Sequence, residues 1–581
     1  MRSRLVGFGV LFAGFGVLLV AFWFGGDRNL PAIRGLPSPG PLTSWGLPVM
    51  RLLHDLCAVA TMGSLLAAVL LEDGRSILRR AVPRWALAWA ASAAATVLLT
   101  LSDFVGVPVG EALRSGALST FLLYVPQGLA FLIVYGLTLA ITLLSFLRAK
   151  PWFLLLLALV ALLPPAYAGH SASAADHDFA ISSLMLHLTA VTLWVGGLFG
   201  LLVFLRKSEQ PLAAVRRFST IALCCYGAVA ISGAVNAWVR LGSLSQLFGS
   251  RYGLLVVGKM VALVVLGFFG WRHRRSTIVA MEAGVRAPFL RLAGGELVLM
   301  AAGMGLAVAL SRTPPPPGGD STHAVLGFDL APFTAWGLVS EMRLDPLLLL
   351  VVVAAGVGYV VGVRRMPSWP RWRTVAWFAG LVVVAYGMVG GVGVYARAIF
   401  SVHMVQYALV GTVGPVLLAL GMPLALIRRP IRIYPAVAAV AYALPLPLLF
   451  LTPLYEISQS VLVVRLIVMI YLAISGAVFF VVVRPWAATG VVAGVQGVVA
   501  FLLLIGPIQG QAWFSGLELE WLPAAQADQR LGALLYAGIT LVALLGITQP
   551  AWSRRGGRRD SERNPALTRI PVVSESGTVG G

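Results

Sequence analysis

Charge is scarce in this sequence. Asp, Glu, Lys and Arg together make up 11% of its 581 residues, while 59% are hydrophobic. A chain of that composition cannot hide its apolar surface in water, so a soluble globular fold is excluded and solvation by lipid is required. Cysteine is nearly absent. Cys57, Cys224 and Cys225 all fall in apolar runs and no Cys-x-x-Cys pair occurs. Adjacent Cys224 and Cys225 are poorly placed to bridge each other, which argues against a disulfide framework. No phosphate-binding glycine loop, nucleophile elbow or dinucleotide fingerprint occurs in the strand context that each needs, so no enzyme is expected. Acidic residues are also few: 22 against 43 Lys and Arg, a formal net charge of +21. Such a surplus can signal nucleic acid, but here the basic residues are spread through short loops between apolar runs. That is the footprint of membrane topology, and no nucleic-acid partner is expected.

What the chain has in abundance is apolar runs of about twenty residues, the length a helix needs to cross hydrocarbon. About sixteen spans are expected on that criterion. The first half gives 5–24, 47–71, 85–101, 119–147, 151–168, 180–205, 217–239, 252–271 and 289–311. The second half gives 345–363, 374–391, 400–427, 433–452, 461–483, 488–510 and 531–550. Backbone groups in lipid must be satisfied within each segment, so the fold class is all-α, a polytopic transmembrane helical bundle in two blocks. Residues 1–24 read as the first span and not as a leader, because no small-x-small cleavage site precedes Gly25-Gly26-Asp27.

Basic residues set the orientation. With the N-terminus inside, the inner loops collect Arg75, Arg79, Arg80 and Arg84, then Arg148 and Lys150, then Arg206, Lys207, Arg216 and Arg217. Further on they collect Arg272, Arg274 and Arg275, then Arg364 and Arg365, then Arg428, Arg429 and Arg432. This alternation predicts an N-in, C-in protein of a bacterial inner (plasma) membrane. The expected organisation is N-terminal helices over 1–168, a first functional block over 169–317, an extracytoplasmic linker over 318–344 and a second block over 345–550. Residues 551–581 read as a disordered basic cytoplasmic tail able to touch anionic lipid.

On that topology His170, His177 and His323 lie in outer loops, His54, His187 and His403 lie on helices entering from the outer face, and His273 alone is inside. A face rich in imidazole suits copper, zinc or nickel. Histidine also sits at interfaces without a ligand, so no single one decides the matter. The densest group is Gly169-His170 through Asp176-His177-Asp178, followed on the next helix by His187; its spacing fits an ion site and a solvated loop equally well. Ionisable residues inside spans are more telling, since each costs roughly 2.5–3.5 kcal/mol at a helix centre on insertion scales. Glu296 lies deepest, and Lys259 lies two turns into its span; the two either pair across the bundle or face a polar path. Met300 and Met304 follow Glu296 at helical spacing, which fits a thioether relay for Cu(I) and also ordinary packing. In the second block His403 and Tyr407 share a helix face, and Asp528 either braces a ligand histidine or sits hydrated at the surface. A haem between His54 and His187 is a third arrangement the sequence leaves open.

Two resemblances cover most of the chain. The series His187, Trp194, Gly196-Gly197, Arg217, Ser219, Ser232-Gly233, Tyr252-Gly253, Lys259 and Glu296 resembles the copper resistance protein D (CopD) family. That resemblance implies copper movement across the inner membrane, with His187, Lys259 and Glu296 as family-type positions. Phe400, His403-Met404, Gln406, Gly421, Pro423, Thr452-Pro453, Tyr455-Glu456, Gly476, Phe479-Phe480 and Asp528-Gln529 are similar to the CtaG-type cytochrome c oxidase assembly factors. That family repeats histidine where this chain has Tyr407, Arg465 and Tyr471. The combined expectation is copper import or transfer from the outer face, coupled to oxidase assembly; the alternative is a non-transporting scaffold for the haem-copper oxidase. Copper, as Cu(I) or Cu(II), is the implied ion, with His170, Asp176, His177, His187, Met300, Met304 and His403 as candidate ligands. Oxidase subunits or a periplasmic copper chaperone are the implied protein partners.

Overall fold

The computed structural model describes residues 2–25, 38–168, 177–241, 243–316, 325–426, 433–483 and 485–548. Among them every regular element is helical and no strand occurs. Fourteen helices are long and apolar enough to cross a membrane, or fifteen if the pair Pro435–Leu451 and Leu454–Ser460, bent by 85°, is one span. The chain is thus an all-α, multi-pass membrane protein, and two of the about sixteen expected spans are interrupted. Both interruptions are proline breaks, where a missing amide and a ring clash end the helix. One is the 151–168 run, which forms the short helices Pro151–Ala161 and Leu163–Tyr167 around Pro164 and Pro165. The other is the bend at Thr452-Pro453. Lipid-facing side chains are large and apolar, as on the Arg251–Arg272 helix, where Val264 is 70% and Phe268 58% exposed.

The chain divides into two compact units, Met1–Asp320 and Ser321–Gly581. In the first, small residues let backbones meet. Gly63 lies against Gly196, and Gly200 against Gly63 and Ala67, with no room for a Cβ at the crossing. Without a hydrophobic drive between helices in lipid, such close approach is the main source of association. The order of these contacts shows that the Gly40–Leu70 and His177–Phe204 helices run parallel. Val82–Val105 runs antiparallel to Gly40–Leu70, since Thr43 bonds Ser102 at 2.7 Å while Trp89 reaches His54. The parallel pair therefore needs a return pass between residues 146 and 177, and the two short proline-broken helices supply it. The Arg2–Gly25 and Ala287–Ser311 helices also pair closely, with Gly305 against Gly14 and Leu18.

In the second unit the Phe400–Ala408 helix runs through a π-helical turn, Leu409–Val413, into Gly414–Leu420. A π turn inserts one extra residue and recurs at functional sites. Gly476 meets Gly411 and Pro415, and Gly380 meets Gly414 and Leu418, so this broken helix is gripped on two sides. Part of the expected linker packs here as well: Leu326 and Leu330 join Tyr395, Trp513 and Leu517 in one buried apolar cluster.

Candidate functional site

In the first unit, His187 is the ring around which polar groups gather. Its Nδ1 lies 3.0 Å from Ser232 Oγ. The Ser232 hydroxyl has one proton and gives it to the Ala228 carbonyl, 2.6 Å away, a back-bond common for serine inside a helix. It therefore accepts from Nδ1–H, which fixes the tautomer and leaves the Nε2 lone pair unspent. Ser183 donates to the Ser232 carbonyl at 3.0 Å, and Asn236 Nδ2 donates to Ser183 Oγ and to that carbonyl at 2.9 Å each. These bonds tie the His177–Phe204 and Pro211–Leu241 helices together at the level of the imidazole. Lys259 lies within electrostatic reach of His187, and Arg240 within reach of Lys259. Arg240 also lies within electrostatic reach of the Tyr252 hydroxyl. Lys259 itself makes no ion pair or hydrogen bond among the described residues.

The expected candidates are only partly brought together. His170 and Asp176 lie outside the described residues, as does the side chain of His177, whose backbone opens the His177–Phe204 helix. His323 also lies outside them. Glu296 does not pair with Lys259. Its Oε2 lies 3.1 Å from His273 Nε2, both side chains being buried; the approach is that of an ion pair, without the angle of a hydrogen bond. Thr277 Oγ1 stands 2.7 Å from His273 Nδ1 on the other side of the ring. Met300 and Met304, 3% and 9% exposed, share the buried face of the helix with Glu296 and pack in the apolar core.

His54 is committed elsewhere. Trp89 Nε1 donates to its Nε2 at 3.2 Å, and Phe131 stacks edge-on at 5.4 Å. His54 precedes Gly63 by nine residues, and His187 precedes Gly196 by the same number. At 100° per residue that places each imidazole about 180° from the shared glycine crossing, so the two rings point away from each other. Haem ligation between them does not fit this geometry.

In the second unit His403 is 2% exposed. Its Nδ1 lies 3.3 Å from the Tyr455 hydroxyl, and its ring lies 4.4 Å from that of Tyr407, tilted by 50°. Its Nε2 and the Tyr407 hydroxyl have no hydrogen-bond partner among the described residues. Two of the three positions where histidine was expected converge here: Tyr407 by contact and Arg465 by charge. The third does not, since exposed Tyr471 donates to the Ala441 carbonyl. An arginine beside a lone imidazole repels a metal cation, so a multi-histidine copper centre is not built here. Asp528 neither braces a histidine nor sits hydrated. It is buried and accepts the amides of Phe400 and Ser401, capping the helix that carries His403. An open cavity of about 710 Å³ is lined by Phe450, Pro453, Tyr455, Glu456, Gln509 and Gly510 among others. Among the described residues no group of three or more His, Cys, Asp or Glu side chains could hold a metal ion.

Sequence reading missed Ser183 and Asn236 beside His187, Arg240 near Lys259, Tyr455 beside His403, and His273 beside Glu296. Ser183 and Asn236 carried a usable signal, being polar in otherwise apolar spans, where such residues seek partners on neighbouring helices.

Comparison with known proteins agrees with the motifs. Residues 42–178 match the family described as copper resistance protein D-like, N-terminal domain, and residues 212–310 match copper resistance protein D. Residues 357–555 match the cytochrome c oxidase caa3 assembly factor (Caa3_CtaG) family. Lys259 and Glu296 fall in the second stretch, His403 and Asp528 in the third, and His187 between the first two. An uncharacterized protein of Mycobacterium tuberculosis (strain CDC 1551 / Oshkosh) is 24% identical over 620 residues, covering 94% of this chain and 90% of its own. One from Mycobacterium leprae (strain TN) is 26% identical over 434 residues, 68% of this chain and 61% of its own. The copper transport protein CutJ of Bacillus subtilis (strain 168) is 36% identical over 128 residues, 20% of this chain and 24% of its own. No solved structure matches.

Proposed function

We propose, from the joining of copper resistance protein D-type regions to a caa3 oxidase assembly region in one chain, that this protein takes copper from the outer face of the plasma membrane and passes it inward in support of oxidase assembly. The observation that carries the reading is the imidazole of His187, whose Ser232 partner leaves Nε2 free to ligate. Copper and its relatives in the Irving–Williams series bind neutral imidazole, and a bonded second nitrogen strengthens such a ligand. In the proposed route His170, Asp176 and His177 capture the ion by ligand exchange and His187 accepts it. Met304 and Met300 lie one helix away, on the face that leads to Glu296. Copper is cargo throughout and no catalytic step is assigned. Cells carrying His187→Ala with Glu296→Ala are expected to lose copper uptake, and unchanged uptake would remove the proposal. Metal analysis of purified protein beside a variant lacking His170, His177 and His187 gives the direct check.

A second reading is favoured by the site at His403. With Tyr407 and Arg465 around a single imidazole, the second unit has the chemistry of a scaffold more than of a copper carrier. As a non-transporting partner of the oxidase the protein would co-purify with oxidase subunits, and a deletion strain would keep normal oxidase copper content. Depleted oxidase copper in that strain would speak for delivery, directly or by way of a periplasmic copper chaperone.

A further inference from the structure

We infer that His273 and Glu296 form a second metal site, a station for Cu(I) at the end of the first unit where Arg272, Arg274 and Arg275 gather. This inference rests on the copper reading above. The two side chains come from different elements and meet in the buried interior. Glu296 lies on the Ala287–Ser311 helix, and His273 opens the π turn that continues Arg251–Arg272. Nε2 and Oε2 are 3.1 Å apart, yet the ring N–H direction misses the oxygen, so no hydrogen bond joins them. A shared ion accounts for that offset. A metal about 2.0–2.1 Å from a nitrogen and an oxygen so spaced sees them at an angle of about 100°, close to tetrahedral. On the opposite edge of the ring Thr277 Oγ1 holds Nδ1 at 2.7 Å, and Phe289 packs against the ring with centroids 4.9 Å apart. The imidazole is thus oriented through the nitrogen that a metal does not need.

Charge and donor type select the ion. A neutral imidazole with one carboxylate carries a single negative charge, which Cu(I) cancels, so the loaded pair is neutral in its buried surroundings. A divalent ion would leave the pair with a positive charge. The soft donor that Cu(I) prefers stands on the same helix. Met300 and Met304 share the buried face with Glu296, one and two turns on, in steps of about 6 Å. Helical side chains lean toward the helix N-terminus, so Met300 leans toward the carboxylate. The two thioethers and the Glu296–His273 pair thus form one descending series of donors, ending where the basic residues begin.

The test is a Cu(I) titration of the purified full-length protein in detergent, under reducing anaerobic conditions, by competition with a coloured chelator. A triple variant lacking His170, His177 and His187 isolates the pair, and it should still bind one Cu(I) per chain. Glu296→Gln or His273→Gln added to it should abolish that binding. Thr277→Val keeps the side-chain shape but removes the hydroxyl behind the ring, and should weaken binding by about 10–100-fold. X-ray absorption of the copper-loaded triple variant should show imidazole nitrogen together with sulfur, and Met300→Leu, a change of similar volume, should remove the sulfur. That spectrum decides the matter even where the glutamine variants fail to fold. Copper bound by the wild type but not by the folded triple variant would overturn the second site and leave the copper reading intact. So would a spectrum without imidazole, or binding indifferent to both glutamine variants. A wild-type protein that binds no Cu(I) would overturn the copper reading itself.

Discussion

The carboxylate of Asp528 accepts the backbone amide of Phe400 at 2.7 Å, across 128 residues of sequence. A second bond from the Ser401 amide, at 3.2 Å, completes a helix cap supplied from another helix. Because the last transmembrane helix thus fixes the start of the one bearing His403, Asp528→Ala should lower stability by about 1–2 kcal/mol. Asp528→Asn, which keeps an acceptor oxygen, should recover part of that loss. Thermal unfolding in detergent checks both.

Tyr455 both lines the open cavity and contacts His403. Replacing it by alanine should open the cavity toward His403 and expose an imidazole that is now 2% accessible. Diethylpyrocarbonate should then modify His403 in Tyr455→Ala and not in the wild type, as read by peptide mass spectrometry. Tyr455→Phe keeps the wall and removes only the 3.3 Å contact to Nδ1, so it should leave His403 unreactive while costing about 1–2 kcal/mol.

Glu296 and His273 call for a double-mutant cycle. Removing one member of a buried pair leaves an uncompensated group, and Glu296→Gln or His273→Gln alone should cost about 3–5 kcal/mol. If the pair is a unit, the double variant should cost less than the sum of the singles by at least about 1 kcal/mol. Additive losses in thermal unfolding would show that each side chain answers to another partner.

Ser232→Ala removes the acceptor that orients His187. Loss of such a supporting bond typically costs about 10–100-fold in metal affinity, and the same chelator titration reads it. Ser232→Thr keeps the hydroxyl and should retain affinity.

The bundle was legible in the sequence because lipid imposes a single periodic demand, a run of apolar residues long enough to cross. The two spans that came out short or bent are those in which proline interrupts an otherwise sufficient run, at Pro164-Pro165 and at Pro453. His187 was marked out by the series of residues that resembles the CopD family and not by its position alone. Its link to Ser232, 45 residues away, depends on how two helices rotate about each other, which hydropathy does not encode. Glu296 was recognised as lying inside a span, with pairing to Lys259 or a polar path both open, and the structure sets it against His273 instead. His273 sits in a basic stretch that reads as a loop, yet the π turn His273–Thr277 continues the helix beyond its apolar run and keeps the ring in the bundle. Asp528, read as either a brace for a histidine or a hydrated surface group, is instead buried by tertiary packing as a helix cap.

The glycine crossing at Gly63, Gly196 and Gly200 also limits how the first unit can work. Backbones in direct contact cannot slide without collision, so the two helices that meet there behave as a stator. His187 stands on the stator, and its Nδ1 reaches across to Ser232 on the Pro211–Leu241 helix. Any movement of the Pro211–Leu241 helix past this ring must first break the bonds of Ser183, Ser232 and Asn236 that fasten it to the stator.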